Sequence, residues 1–537
     1  MLGTFPPAAR LGSAFSSPAR LSTRRLAASI SYAARLRERY PFVSPNTSVD
    51  HLVIGGGVIG LSVAAGLVNT AGRDRITFVV ERRRQLGQET TARNSEVIHS
   101  GEHGLGVGMA QADELRDIVG QAGLLSTSMA HLYSYPVGSL KSQLCIRGRD
   151  LLYARCAALG IGHRKTQKAS GHGNLIVATA NSQVPYLDAL QTLSLDPRLR
   201  SSDAELSASQ NDSVVPAYFL SGDEARDLEP DLSRDVKGAL LVTETGIVDS
   251  QGLVDSLERE IEEEEYLSSS NGEYFGVGVR GGRSRKGAGR GEGVIVKGTR
   301  VVRIDRETEG NGWVIQLESG WENLEEGQKG DVESVRSDVV VNAAGLGAVS
   351  LMGGLVPDNE RVQMWPVKGN YMSYKGPGVS NISRLIYPCP SQNIDHLGTH
   401  LTIDLDGNIK FGPDVEPIGS PSDVLANPDF WQAHLAPSEA HLQSIGEAAQ
   451  RYLPGIDPSR LTPDYAGIRP NISPPGAGFS DFMIRHKPER RGLVEMMGFN
   501  SPGLTSALAA GEMVSGMVRR DVWGEKGDLA GLAVGWE

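Results

Sequence analysis

The feature that most constrains the fold is the stretch at residues 50–60, DHLVIGGGVIG, which contains the spacing G-x-G-x-x-G. The three glycines are Gly55, Gly57 and Gly60. The apolar residues before them predict a buried parallel strand, Val58–Leu67 predicts a helix, and Ile76–Val80 predicts a second strand that leads into Glu81. This spacing permits a tight turn, a close approach of backbone N–H groups to a pyrophosphate, and close helix–strand packing. An acid about 20 residues further on can accept hydrogen bonds from a ribose hydroxyl. The alternative is a glycine-rich turn in another kind of α/β protein, but the combination of strand, helix and acid favours a dinucleotide-binding unit.

Length and composition indicate a multidomain soluble protein. The chain has 537 residues, of which 39% are hydrophobic and 22% are charged, so two or three domains are expected. Three cysteines do not form a disulfide framework, and they suit a reducing compartment. None of them has metal-ligand spacing, so no metal is predicted. The apolar, uncharged run Leu52–Val68 is explained by the nucleotide motif, and no transmembrane helix is predicted.

The first 45 residues differ in composition from the rest of the chain. They contain seven arginines and many serines, and Glu38 is their only acid. This pattern is typical of a mitochondrial transit peptide, and a disordered basic tail is the alternative. The whole chain carries a formal net charge of −11, and without this segment it is more acidic still. An acidic body is a poor binder of nucleic acid, so no nucleic-acid partner is predicted.

The middle of the chain predicts both nucleotide-binding strands and a second domain. Val294–Ile304 and Trp313–Leu317 predict a hairpin, and Asp338–Val341 predicts a buried strand that runs into an Ala-Ala-Gly sequence. Residues 362–413 predict several antiparallel strands. Near the end, a strand, a Ser-Pro-Gly turn and a helix follow one another over residues 493–518. The fold class predicted is α/β, a Rossmann-like nucleotide-binding domain with an inserted antiparallel α+β substrate domain.

The predicted division of the chain has six segments. They are a leader (1–45), a first nucleotide-binding part (46–180) that contains an insertion (102–132), a mixed substrate-side part (181–255), a second nucleotide-binding part (256–350) with a flexible loop (268–293), a substrate domain (351–480) and a C-terminal nucleotide-binding part (481–537).

Several motifs together resemble the D-amino-acid oxidase-like superfamily of FAD-dependent oxidoreductases, and within it the L-2-hydroxyglutarate dehydrogenases. The motifs are the N-terminal glycines with their acid, residues 94–101 (NSEVIHSG), 139–141 (SLK) with Leu144 and Cys145, 245–249 (TGIVD), 386–388 (IYP), 397–400 (LGTH), the Ala-Ala-Gly strand end and the C-terminal strand, turn and helix. The resemblance covers residues 50 to 520 in pieces.

This resemblance implies FAD as the cofactor and a set of residues that contact it. Gly55, Gly57 and Gly60 would hold the pyrophosphate, and Glu81 would hold the adenosine ribose. The other implied cofactor residues are Asn94, Ser95, Val302, Ala344, Gly345, Gly503, Leu504 and Thr505. The last three begin a helix whose free N–H groups would face the flavin edge where negative charge accumulates on reduction.

Oxidation of a 2-hydroxy acid also needs a base for the hydroxyl proton and a cation for the carboxylate. His99 and His400 are the candidate bases, because imidazole titrates near neutral pH. Arg469 is the candidate carboxylate clamp through its bidentate fork, and Lys368 and Tyr387 are candidate substrate-binding residues. A structural role for each histidine and a surface ion pair for Arg469 are the alternatives. Cys389 is interpreted as an inert buried thiol rather than a covalent flavin link.

One segment departs from the family pattern. Residues 102–132 stand between the His-Ser-Gly loop and the Ser-Leu-Lys helix, where relatives run almost directly on, and Ala92-Arg93 replaces a Gly-His pair. The segment is either a lid over the site or a retained intron translated in frame, and we favour the second because the family pattern resumes directly after it. A cDNA that contains the segment would exclude an intron.

The function predicted is FAD-dependent oxidation of L-2-hydroxyglutarate to 2-oxoglutarate in the mitochondrion. A quinone or an electron-transfer protein is the expected electron acceptor, with peripheral membrane contact as one way to reach it. The alternatives are an FAD-dependent amine or amino-acid oxidase of the same superfamily and a catalytically silent FAD-binding protein. Reduction of the flavin by a hydroxy acid, by an amine, or by neither compound discriminates among the three.

Overall fold

The computed structural model describes residues 36–72, 74–101, 136–165, 173–196, 199, 214–263, 276–278, 290–308, 310–325, 328–353, 355–389, 399–427 and 429–525. The predicted leader up to residue 35, the predicted insertion at 102–132 and most of the predicted loop at 268–293 lie outside these ranges.

The strands are β1 (Thr47–Ile54), β2 (Ile76–Val80), β3 (Val97–Ile98), β4 (His163–Lys165), β5 (Asn174–Ala178), β6 (Ala217–Ser221), β7 (Gly238–Val242), β8 (Gly246–Val248), β9 (Glu292–Val296), β10 (Thr299–Arg306), β11 (Trp313–Ser319), β12 (Asp331–Asn342), β13 (Trp365–Tyr374), β14 (Leu385–Pro388), β15 (Leu401–Ile403), β16 (Ile409–Phe411), β17 (Glu416–Pro417), β18 (Leu461–Asn471), β19 (Met483–His486) and β20 (Leu493–Met497). The α-helices are α1 (Val58–Thr70), α2 (Leu140–Leu159), α3 (Val184–Ser194), α4 (Gly222–Leu228), α5 (Ser250–Glu262), α6 (Ala348–Leu351), α7 (Pro421–Ala426), α8 (Leu442–Gln450) and α9 (Gly503–Asp521).

The first sheet has the strand order β10-β11-β12-β1-β2-β9, with β20 beside β12 and β19 beside β20. β1 runs parallel to both β2 and β12, and β9 and β20 continue the parallel part on either side. β1 is buried from His51 to Ile54, as expected for a strand covered on both faces. The predicted Rossmann-like arrangement is therefore confirmed.

The predicted hairpin between Val294–Ile304 and Trp313–Leu317 is wrong in its first strand. The run is divided at Gly298, which has φ +68°. β9 pairs in parallel with β2, whereas β10 pairs antiparallel with β11. β-branched residues on both sides of Gly298 make the two strands look like one run, and periodicity does not register a single left-handed glycine.

Helices cover one face of the first sheet and form its main core. α9 packs against both α1 and α2, and α5 packs against α1. Small residues allow this contact: a Cβ at Gly511 of α9 would lie 2.4 Å from the carbonyl oxygen of Ser62 in α1. Any larger residue at position 511 would force the two helices apart. Among the described helices, none has the length and apolar character needed to cross a membrane.

The second sheet has the order β17-β13-β16-β15-β14-β5-β7-β6, with β18 beside β13. Its pairs are antiparallel except for β5 with β14. This sheet confirms the predicted inserted antiparallel domain. β5 belongs to this second sheet, although the predicted boundary at residue 180 groups it with the first. A small third sheet, β3-β8-β4, contains the short strand that leads into the His-Ser-Gly loop.

Residues 36–43 pack onto the antiparallel edge of the first sheet. Tyr40 is 2% exposed, and its hydroxyl donates to Glu318 at 2.9 Å. The side chain of Gln316 donates to the carbonyl of Pro41 and accepts from the amide of Val43. The last part of the predicted leader is therefore in contact with the folded body.

Candidate active site

A cavity of about 770 Å³ lies at the carboxyl ends of β1 and β12 and reaches the strands β13 and β18 of the second sheet. Twelve of the seventeen predicted site residues line it: Gly55, Gly57, Glu81, Asn94, Ser95, His99, Val302, Ala344, Gly345, Arg469, Gly503 and Leu504. Ligands of α/β sheets bind at this edge of the strands, so the position agrees with a nucleotide-derived cofactor.

The glycine motif forms the turn between β1 and α1. Gly55 has φ +108°, and a Cβ on it would lie 2.6 Å from the carbonyl oxygen of Ala343. A Cβ on Gly60 would lie 2.0 Å from the carbonyl oxygen of Gly55, so Gly60 packs the helix against the turn and does not line the cavity. Gly57 is the N-cap of α1 and lacks a side chain that would fill the cavity in front of the helix.

Glu81 is held at the end of β2 by two backbone amides. Its carboxylate accepts from Gly56 and from Arg83, each at 2.7 Å. Burial raises the pKa of this carboxyl, and the two amide donors oppose that rise. The two amides thereby fix the Glu81 side chain at the cavity, where its carboxylate can accept further hydrogen bonds.

Val302 occupies a β-bulge. The ladder between β10 and β11 pairs Val301 with Leu317 and Arg303 with Gln316, so Val302 has no partner residue in that ladder. Bulges of this kind release a residue's backbone from the sheet.

The first turn of α9 and the loop before it form the wall near His99. Gly503 and Leu504 line the cavity. Thr505 is fully buried; its hydroxyl accepts from the His99 amide at 3.1 Å and donates to the Val97 carbonyl at 3.3 Å. Thr505 thus joins α9 to the loop of His99 and lies outside the cavity lining. The ring Nε2 of His99 lies 3.3 Å from the Ser501 hydroxyl.

The loop before β3 contains a strained residue. Glu96 has φ +58°, which non-glycine residues adopt only at a cost. Its amide donates to the Asn94 side chain at 2.6 Å, and its carboxylate accepts from the amide and hydroxyl of Ser250. These contacts fix the backbone of Asn94 and Ser95 where both line the cavity.

Arg469 lies in β18 beside an aromatic pair. Its guanidinium donates to the carbonyl oxygen of Asp414 at 3.3 and 3.4 Å. The Tyr371 ring stacks on Tyr465 with centroids 4.5 Å apart, and the Tyr465 hydroxyl donates to the Asn94 carbonyl at 2.6 Å. Burial raises the pKa of Tyr371, while Arg469 and a hydrogen bond with Ser95 oppose that rise.

Lys368, Tyr387 and His400 do not appear among the described residues that line the cavity. Lys368 is 5% exposed, and its ammonium lies 3.4 Å from the carboxylate of Glu416. The rings of Tyr387 and His400 stack with centroids 4.1 Å apart. Cys389 is also buried away from the cavity lining, and burial raises the pKa of its thiol.

Several residues that line the cavity were not predicted as site residues. Tyr371 lies at an irregularity in the β13–β18 ladder, between Asn370 and Met372, which no sequence period reveals. Arg93 was noticed only as a departure from the family pattern. Residues 36, 38, 39 and 40 line the cavity although their composition had assigned them to the leader.

The sequence matches a known protein family over most of its length. The family of FAD-dependent oxidoreductases designated DAO matches residues 50–266 and 284–517. The chain therefore belongs to this family, and its cofactor is FAD. The glycine turn, Glu81 and the bulge at Val302 fit a dinucleotide in the cavity.

Among its relatives are enzymes that act on one particular hydroxy acid. The chain is 31% identical over 472 residues to the mitochondrial L-2-hydroxyglutarate dehydrogenase of Arabidopsis thaliana, covering 87% of this chain and 83% of that protein. It is 26% identical to the mitochondrial L-2-hydroxyglutarate dehydrogenase of Homo sapiens, covering 68% of this chain and 61% of that protein. In structure it resembles a dithionite-reduced L-α-glycerophosphate oxidase from Mycoplasma pneumoniae with FAD bound, with a TM-score of 0.59, 19% identity and coverage of 91% and 100% of the two chains.

Proposed function

We propose that this FAD-dependent oxidoreductase oxidises L-2-hydroxyglutarate to 2-oxoglutarate. The observation that carries the proposal is the 31% identity to the Arabidopsis enzyme across 83% of its length. The cavity agrees with this chemistry, because an arginine, a histidine and the FAD-binding glycines all line it. The relatives favour this activity over an amine or amino-acid oxidase.

The reaction removes a hydride from C2 of the substrate and a proton from its hydroxyl group. FAD supplies the acceptor for the hydride. The guanidinium of Arg469 would bind the carboxylate next to C2 in bidentate fashion and orient the C2–H bond. Tyr371 would border the same end of the substrate, because it faces Arg469 and Ser95.

His99 would accept the hydroxyl proton. It is the candidate base that lines the cavity, and the Ser501 hydroxyl lies 3.3 Å from its Nε2 atom and can orient the ring. His400, stacked on Tyr387, would support the wall of the substrate domain instead.

The first turn of α9 would stabilise negative charge on the cofactor. Its N-terminal N–H groups belong to a helix of 19 residues, and Gly503 and Leu504 line the cavity. Gly55, Gly57, Glu81, Asn94, Ser95, Val302, Ala344 and Gly345 would complete the cofactor site.

Anaerobic reduction of the bound flavin tests the activity. We expect L-2-hydroxyglutarate to bleach the flavin absorbance and sarcosine and D-amino acids to leave it oxidised. Bleaching by an amine alone would favour the oxidase. A flavin that no compound reduces would identify a silent FAD-binding protein.

We further infer that the protein is imported into mitochondria and that its leader ends before Leu36, because the residues that follow contact the body. N-terminal sequencing of the protein from isolated mitochondria tests this boundary; a mature chain that begins at residue 46 would exclude it.

A quinone or an electron-transfer protein is the proposed acceptor. Reduction of a soluble quinone, compared with oxygen consumption, tests that choice.

A further inference from the structure

Five arginines line the cavity, and they differ in how their charge is balanced. They are Arg39, Arg82, Arg93, Arg300 and Arg469. Arg82 pairs with Glu89 and Asp429, and Arg300 pairs with Glu318. Within the described part of the chain, the other three have no ion pair with a carboxylate. Arg39 belongs to the segment packed beside Arg300, at the adenosine end. Arg93 and Arg469 remain, in the half of the cavity nearer the substrate domain.

Arg93 and Arg469 lie near each other on one face of β18. The backbone of Arg93 lies directly over Gly467, since a Cβ at Gly467 would be 2.0 Å from the Arg93 carbonyl oxygen. Arg469 is two residues further along β18 than Gly467, about 7 Å along the strand, so its side chain leaves the same face of β18 that Arg93 covers. The guanidinium lies over a second glycine, because a Cβ at Gly369 would be 2.8 Å from its Nη2 atom. Gly467 thus gives room for the Arg93 backbone, and Gly369 gives room for the Arg469 guanidinium.

Within the described ranges, neither guanidinium has a full set of hydrogen-bond acceptors. Arg93 donates there only to the carbonyl oxygen of Ala466, at 3.5 Å, and its Nε atom is buried without a hydrogen-bond partner among those residues. In the same part of the chain, Arg469 donates only to the carbonyl oxygen of Asp414. Two neighbouring guanidinium groups in a partly enclosed cavity lose hydration, and without carboxylate partners this desolvation costs free energy. A ligand with two negative groups would compensate both.

We propose that Arg93 and Arg469 together make the site selective for dicarboxylates, with Arg469 on the carboxylate next to C2 and Arg93 on the distal carboxylate. The assignment rests on the proposed function and adds a specificity-determining residue to it. A short carbon chain with a carboxylate at each end, as in 2-hydroxyglutarate, would offer one carboxylate to each guanidinium, since both arginines line the same cavity.

Arg93→Met tests the assignment, because it removes the charge and keeps the length of the side chain. We expect the ratio of kcat/KM for L-2-hydroxyglutarate to kcat/KM for L-2-hydroxypentanoate, which has a methyl group in place of the distal carboxylate, to fall about 10- to 100-fold. In Arg93→Lys the same ratio should fall by less, since lysine keeps the positive charge but lacks the bidentate guanidinium fork. Arg84→Met, whose side chain is 70% exposed, is the matched control and should leave the ratio unchanged.

Binding without turnover separates this inference from the proposed function. Glutarate and pentanoate titrations, followed by perturbation of the flavin absorbance, need no reaction at C2. We expect wild-type protein to bind glutarate at least about 10-fold more tightly than pentanoate and Arg93→Met to lose that preference. An Arg93→Met variant that keeps the preference, or one whose main change is a weaker affinity for FAD, would overturn the assignment. The second result would place Arg93 on the cofactor.

Discussion

At the scale of single residues, His99 carries the proposed proton transfer. Replacement by glutamine keeps the polarity and approximate size but removes the group that can accept a proton near neutral pH. We expect His99→Gln to slow anaerobic flavin reduction by L-2-hydroxyglutarate about 10²- to 10⁴-fold while FAD remains bound. His434→Gln, whose ring packs on Phe430 outside the cavity lining, is the control. A rate within a factor of two or so of the wild type would rule out His99 as the base.

A second histidine controls stability rather than catalysis. His51 in β1 is fully buried; its Nε2 atom accepts from the Trp523 indole at 3.1 Å, so Nδ1 carries the proton and donates to Thr77 at 3.0 Å. Burial, assisted by Arg75, lowers the pKa of His51 from 6.5 to about 3. Because folding lowers the pKa of His51, its neutral ring contributes fully to stability at pH values above the unfolded-state pKa. This contribution is lost as the pH falls from about 6.5 toward about 3.

The prediction is therefore a steep acid destabilisation that depends on His51. Between about pH 7 and about pH 4, wild type should lose ~2–3 kcal/mol more unfolding free energy than His51→Gln does, measured by urea denaturation at each pH. His163→Gln, at a half-buried position, is the comparison. Equal slopes for wild type and His51→Gln would contradict the buried neutral imidazole.

At the scale of elements, residues 36–43 form a strap beside the part of the cavity that Glu81 and Val302 line, where the adenosine of FAD would lie. The Tyr40 hydroxyl and Arg300 both bind the buried carboxylate of Glu318, and Arg303 donates to the Tyr40 carbonyl at 3.0 Å. Loss of the strap would uncover cavity residues and leave Glu318 with one partner fewer.

Two truncated proteins test the strap. A chain that begins at residue 46 should bind FAD at least about 10-fold more weakly than a chain that begins at residue 36, as measured by quenching of flavin fluorescence. Arg37→Ala, which removes a half-exposed ion pair with Asp305 outside the cavity lining, should retain the affinity of the longer chain. Equal FAD affinity of the two truncated chains would show that the strap has no part in the cofactor site.

Elements whose form depends on local chemistry were predictable, and those that depend on distant partners were not. β2 has the predicted bounds and β20 begins at the predicted residue 493, since a short apolar run defines each strand. The split at Gly298 and the bulges at Val302 and Tyr371 arise from pairing with strands elsewhere in the chain. The position of β5 next to β14, more than 200 residues away, is equally a property of the assembled sheet.

At the scale of the whole molecule, the glycine motif with its strand, helix and acid predicted a dinucleotide-binding α/β fold, and the resemblance to the D-amino-acid oxidase-like superfamily implied FAD as the cofactor. The six-segment division remains a prediction, with β5 as the strand that the sheets group differently. The catalytic residues were harder to infer. All five candidates rest on residue type, and type alone does not reveal which face of a strand meets the cavity. His99 and Arg469 line the cavity with the cofactor residues, whereas His400, Lys368 and Tyr387 are not among the described residues that line it.

The central claim is that this molecule passes electrons from L-2-hydroxyglutarate to its own FAD. The most direct measurement is an anaerobic titration of the purified protein with L-2-hydroxyglutarate, followed by the flavin absorbance, with sarcosine and D-amino acids as comparisons. The account predicts complete bleaching by the hydroxy acid and formation of one 2-oxoglutarate per flavin. A flavin that stays oxidised with L-2-hydroxyglutarate but is reduced by an amine would contradict it.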